Sequence, residues 1–145
     1  MSESLQIAGR LDGPARARGW MRGLCAAHDL EGLCDDAVLM VSELVTNAVL
    51  HAGTGCVLVV ELDDQAMRVD VLDEDHHVIG PVQVADGSER GRGLNIVAAL
   101  STTWGVNYRD PGKSVWFTII RDRGLDRSGA VPRWQGGSSD ALAVA

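Results

Sequence analysis

A chain of 145 residues with 46% hydrophobic side chains suits one domain around a single core and leaves little for a second. Its formal charge of −7, with arginines scattered among acids and no basic stripe, argues against a nucleic-acid binder. No stretch reaches membrane-spanning length and no basic segment followed by an apolar run opens the chain, so a soluble, cytoplasmic protein with no membrane partner is expected.

Residues 4–9 alternate weakly and end in glycine, as a short edge strand would. Asp12-Gly13-Pro14 is a turn leading into a helix, with proline tolerated in the first turn. From Pro14 to His28, Ala17, Trp20, Met21, Leu24 and Cys25 recur at helical spacing. Arg16, Arg18 and Arg22 fall elsewhere and predict a solvated charged face, with Arg16 or Arg22 open to an acidic partner. After a break at Leu30 to Leu33, a central helix is expected from about Leu33 to Ala52, stopped by Gly53-Thr54-Gly55. Cys56–Leu62 and Met67–Leu72 predict a hairpin around an exposed acidic turn.

From Asp73 to Arg92 periodicity is lost, over a length that in a compact domain is usually functional or disordered. Leu94–Leu100 reads as a short helix, Thr103–Tyr108 as a strand, 110–113 as a turn and Ser114–Arg121 as an apolar closing strand. Beyond Asp122 glycine, serine and charge dominate, so 1–121 is expected to be the folded domain and 122–145 a flexible tail. Hairpin-joined strands with grouped helices, in the order β-α-α-β-β-loop-α-β-β, point to an α+β fold of two layers. Cys25, Cys34 and Cys56 are odd in number and form no C-x-x-C pair, so they read as small thiols of a reducing compartment.

Three constellations could carry chemistry. On a helix, positions four apart stay close, so Glu43, Asn47 and His51 line one flank opposite an apolar stripe of Ala37, Val41, Leu44, Val45, Ala48 and Ala52. That flank could hold a divalent metal and activate a hydroxyl or water, or it could be the wet side of an amphipathic helix. Gly91-Arg92-Gly93-Leu94 ends the long loop where a helix starts. Glycines, free N–H groups and the helix dipole there suit a phosphate, with Arg90 or Arg92 as an added contact, although such glycines also occur for conformational reasons. Neither a Walker loop nor a dinucleotide fingerprint is present. Asp73, closing an apolar strand, could accept a hydrogen bond from an exocyclic amine of adenine, or be a plain acidic turn residue. His76-His77 lacks a third ligand for a transition metal, because adjacent loop histidines point apart.

Taken in order, Glu43-x-x-x-Asn47-Ala-x-x-His51, Asp73 and Gly91-x-Gly93-Leu94 resemble the GHKL ATPase fold shared by gyrase and histidine kinases. More narrowly, Val41–His51, Gly91-Arg92-Gly93-Leu94, Trp104-Gly105 and Gly112-Lys113-Ser114-Val115-Trp116 resemble the anti-sigma-factor serine/threonine kinases, over about residues 14–120. The resemblance implies a two-layer α/β sandwich of that type, with a mixed, mostly antiparallel sheet and helices on one face. It implies ATP and Mg²⁺ as cofactors. Asn47 would coordinate the metal, and Glu43 would be the general base toward a protein hydroxyl. Asp73 would bind the adenine amine, with Ser114 beside it acting through water. Gly91, Arg92, Gly93 and Leu94 would form the phosphate side, the segment from Asp75 to Arg92 a lid, and His51 a structural residue.

The implied partners are a sigma factor and an anti-anti-sigma protein of the STAS type, with a homodimer typical of the family. Where the family has glycine two residues after its adenine-side aspartate, this chain has Asp75, which adds negative charge beside an anionic ligand. That departure keeps a second reading open, an ATP-binding or degenerate regulatory module without phosphotransfer. A nucleotide hydrolase or a detached histidine-kinase ATPase domain is a third.

Overall fold

The structure, a computed structural model, describes residues 1–51, 53, 55–74, 89–109 and 112–121, with backbone alone at 51 and 89–92, and nine elements lie among these described residues. Asp75, His76, His77, Ala52, the expected lid up to residue 88 and the expected tail 122–145 lie outside the described residues.

Strand β1 (Ser2–Ile7) leads to helix α1 (Gly13–Ala27), which buries Ala17, Met21, Leu24 and Cys25 along one stripe. The chain turns at Asp29, whose φ of 56° is left-handed and tolerated by a short polar side chain. The Leu30 N–H donates to the Cys25 carbonyl across this turn at 2.9 Å. Helix α2 (Glu31–Thr46) follows, extended by a π turn (Asn47–His51). The hairpin of β2 (Cys56–Leu62) and β3 (Ala66–Asp73) closes on Asp63, whose carboxylate accepts from the N–H groups of Gln65 and Ala66. Helix α3 (Glu89–Leu100), β4 (Thr103–Tyr108) and β5 (Lys113–Ile120) complete the domain.

The sheet has the order β1-β2-β3-β5-β4, and every neighbouring pair is antiparallel. Helix α1 packs on α2, α2 on β3 and β5, and α3 on α2 and β4. Alternation along the strands turns Leu58, Val60, Met67, Val69, Val71, Trp104, Val106, Val115, Phe117 and Ile119 into the space beneath the helices. Phe117 is fully buried there and contributes about 2–3 kcal/mol of apolar burial. This is the expected α+β two-layer sandwich, with a wholly antiparallel sheet. None of the described helices is long and apolar enough to cross a membrane.

Two boundaries differ from expectation in ways that matter for the site. Helix α3 begins at Glu89 rather than Leu94, because its first turn, Glu-Arg-Gly-Arg, is polar and carries no apolar repeat. The central helix changes its winding at Asn47, where i→i−5 bonding widens the last turn.

Candidate functional site

The C-terminal half of α2 carries the first part of the site. Leu44 and Val45 are buried in the core, which leaves Glu43 and Asn47, both half-buried, on the flank at the edge of the helix layer. Thr46 donates its hydroxyl to the Ser42 carbonyl at 2.6 Å, a back-bond that bends helices. At the next residue the Asn47 N–H is shared between the carbonyls of Glu43 and Leu44. Ala48 and Val49 at the start of the π turn are both buried in the core, Val49 following Val45 by four residues. π turns of this kind recur at functional sites.

Helix α3 lies against that flank through Gly93. A Cβ on Gly93 would stand 3.2 Å from Asn47 Nδ2 and 3.4 Å from both Cβ and Oε2 of Glu43. The glycine therefore seats α3 directly on the carboxylate and the carboxamide, and three residues named from sequence meet here. Its role differs from the one expected. The first four N–H groups of a helix lack acceptors, and Gly93 sits beyond the turn formed by Glu89–Arg92. What Gly93 supplies is a missing side chain rather than an amide cradle. Gly91 and Arg92 occupy that first turn, where the helix dipole is positive. The Leu94 side chain is fully buried in the core and anchors α3.

Asp73 ends β3 on the same face as Val69 and Val71, beneath the helices. Lys113, its register partner on β5, places Nζ 3.1 Å from Asp73 Oδ1, and both side chains are only 6% exposed. Gly112 makes this closeness feasible, because a Cβ there would run into the Asp73 carbonyl and stand 2.6 Å from Glu74 Cα. Ser114 does not join them. Its parity on β5 turns it to the opposite face, where its hydroxyl donates to Asp70 Oδ1 at 2.9 Å. Ser114 thus faces away from the Asp73 carboxylate, whose neighbour on β5 is Lys113.

On that outer face Arg68 forks onto Asp70 at 2.8 and 3.1 Å and lies 4.5 Å from the centroid of the Trp116 ring. A hollow of about 420 Å³ at the Asp73 end of the sheet is walled by Ile7, Gly9, Gly55, Cys56 and Asp73. Glu43, Asn47 and Gly93 do not line it, so it is separate from their meeting point.

Arg18, expected on a solvated face, instead donates to Ser42 Oγ at 2.9 Å and ties α1 to α2 one residue before Glu43. All three cysteines are free. Burial pushes the Cys25 thiol up to about 12, helped by a hydrogen bond with the Cys34 thiol. Burial also raises Cys56 to about 11, with the negative charge of Asp73 across the β2–β3 ladder adding to the effect. The residue that sequence reasoning missed is Lys113. Its signal was the alternation of Val115, Phe117 and Ile119, which puts Lys113 on the same face.

The donor set fits a hard cation and a phosphate-bearing ligand. Glu43 and Asn47 offer carboxylate and carboxamide oxygens, and Gly93 brings the backbone of α3 up to both. Among the described residues no three His, Cys, Asp or Glu side chains cluster as a self-sufficient metal site. A cation held at Asn47 would therefore share its shell with ligand oxygens and water, as Mg²⁺ does with nucleotides.

Comparison with known proteins bears on the fold and the family. No curated protein matches the chain. The fold is similar to the crystal structure of the RsbU and RsbW domains of Rv1364c from Mycobacterium tuberculosis, with a TM-score of 0.63 at 20% identity. That match covers 83% of this chain and 33% of the other, so the present chain spans about a third of that structure's length. The family model of the histidine kinase-like ATPase domain matches residues 10–119, most of the sequence and all of the elements that build the site. The chain belongs to the histidine kinase-like ATPase domain family.

Proposed function

We propose that this protein is an ATP-dependent regulator of the anti-sigma-factor kinase type, which holds a sigma factor and phosphorylates a serine or threonine of a STAS-type anti-anti-sigma partner. The observation that carries the reading is the seating of Gly93 against Asn47 Nδ2 and Glu43 Oε2. It joins the helix that would hold the phosphates to the two polar side chains that would act on them. The narrower kinase assignment draws on the resemblance of Val41–His51 and Gly112–Trp116 to that group.

In this mechanism Mg²⁺, bound at Asn47, would neutralise charge on the triphosphate. Gly91 and Arg92, in the first turn of α3, would face the phosphates with N–H groups and the positive helix end. Glu43 would take the proton of the partner's hydroxyl as its oxygen bonds the γ-phosphorus and the bond to ADP breaks. Asp73 would accept the adenine amine. The remaining contribution is positioning, supplied by the α2–α3 contact and the Arg18–Ser42 link behind it.

Titration with ATP, with and without Mg²⁺, tests the reading in wild type and in Asn47→Ala. Metal-dependent binding that weakens at least ~10-fold in the variant supports it. An absence of binding at millimolar ATP overturns it. Transfer of the γ-phosphate to a serine of a STAS-type protein is the further test of the kinase step.

A further inference from the structure

We propose that Lys113 is the positioning residue of the base-reading end of the site, pairing with the Asp73 carboxylate and aiming it so that it acts as an acceptor for the exocyclic amine of the nucleotide base. The inference rests on the nucleotide reading above and adds to it a residue and a source of base selectivity.

The argument starts from where Asp73 lies. Its side chain is 6% exposed at the end of β3, on the face that farther along carries only apolar residues, Val71 and Val69. A carboxylate removed from water there needs a compensating charge or donors. Its register partner on β2, Cys56, cannot provide the charge, because a thiol is never cationic. Its register partner on β5, Lys113, does so at 3.1 Å with an equally buried side chain.

The geometry of this pair is fixed by backbone. Directly opposed residues on antiparallel strands have neighbouring Cβ atoms, and the β4–β5 turn is pinned where the Arg109 N–H donates to the Gly112 carbonyl at 2.7 Å. Gly112 then lets that turn press against the Asp73 carbonyl with no side chain between them. Lys113 is thus delivered to one oxygen of Asp73 by the fold itself. A hydroxyl at this position would orient the carboxylate without neutralising it. The ammonium does both, and it offsets the negative charge that Glu74 and Asp75 bring to the same stretch of chain.

The test compares the affinities of ATP and of purine riboside triphosphate, which lacks the exocyclic amine, for the full chain in the presence of Mg²⁺. Wild type is expected to prefer ATP by about 10- to 100-fold, as a hydrogen bond to a charged acceptor gives. In Lys113→Met that preference is expected to collapse to within about threefold, while affinity for the amine-free analogue changes little. Lys113→Arg restores the preference. Lys113→Gln carries the test if the methionine variant does not fold, with the preference reduced at least threefold. A variant that loses affinity for both ligands equally, leaving their ratio as in wild type, overturns the inference and leaves the nucleotide site standing. Wild type that binds neither triphosphate overturns the inference together with the reading beneath it.

Discussion

A Cβ built on Gly93 would stand 3.2 Å from Asn47 Nδ2, so the bare backbone of α3 and the carboxamide of the π turn are in direct contact. This approach brings two helices together at the residues proposed to hold a metal and phosphates, and it makes Gly93→Ala an informative substitution. Gly93 lies inside α3, where alanine gains up to about 1 kcal/mol in helix propensity. The new methyl, however, presses on the Asn47 amide and on Glu43. The expected outcome is a melting temperature equal to or above that of wild type, together with a ~10-fold loss of Mg²⁺-dependent ATP affinity. Calorimetric titration beside a thermal melt checks it. A protein that melts earlier and binds normally would show that the glycine serves packing alone.

Glu43 and Asn47 share a flank, but their substitutions should separate. Glu43→Gln keeps the size and hydrogen-bonding reach of the side chain and removes the basic oxygen. ATP binding is expected within a few-fold of wild type, while phosphate transfer falls by roughly 10²- to 10⁴-fold, the usual contribution of a general base. Single-turnover transfer to a serine-bearing partner measures it. Equal losses in binding and transfer would place Glu43 among the ligand-holding residues instead.

Gly112 and Gly53 form a natural pair of controls for backbone against space. Gly112→Ala drives a Cβ into the Asp73 carbonyl, and a backbone atom cannot rotate away, so a loss of about 3 kcal/mol or more in unfolding free energy is expected. Gly53 has open space around it, but its φ of +67° is left-handed, so Gly53→Ala should cost only about 1–2 kcal/mol. Urea unfolding of both variants tests the order. A smaller loss at Gly112 than at Gly53 would mean that the β4–β5 turn shifts freely, and that Lys113 is not held where the structure puts it.

The readability of this chain from sequence depended on which repeat each feature obeys. Glu43 and Asn47 are legible because they lie four residues apart with α winding between them, the π turn starting only at Asn47. The π turn is not, since a 3.6-residue period gives no sign of a widened turn. The opposite faces taken by Lys113 and Ser114 are hard to read on β5, because Val115, Trp116 and Phe117 form a continuous apolar run. A shift of one residue exchanges the faces of a strand, and only pairing with β3 fixes it. The start of α3 escaped because Glu89–Arg92 is polar on every side, so Gly93 was read as a loop glycine when it is a packing glycine.

Cys56 gives the fold a measurable alkaline limit. Burial raises its thiol from 9.0 to about 11, and the charge of Asp73 opposes ionisation further. The folded protein therefore keeps this proton at a pH where the unfolded chain has lost it. Below 9.0 both states hold the proton and the contribution is fully present; between 9.0 and about 11 it is progressively lost. The limiting slope is roughly 1.4 kcal/mol of stability per pH unit. Unfolding free energies from urea titrations across that range should fall less steeply in Cys56→Ala than in wild type, by up to that slope. Other groups titrating in the range are common to both proteins and cancel in the difference. The same protection orders the thiols chemically: half-buried Cys34 should alkylate at pH 8 well before Cys25 or Cys56, as peptide mass spectrometry would record. Early labelling of Cys56, or identical pH slopes in the two proteins, would show that the β2 end beside Asp73 opens to solvent far more readily than its burial indicates.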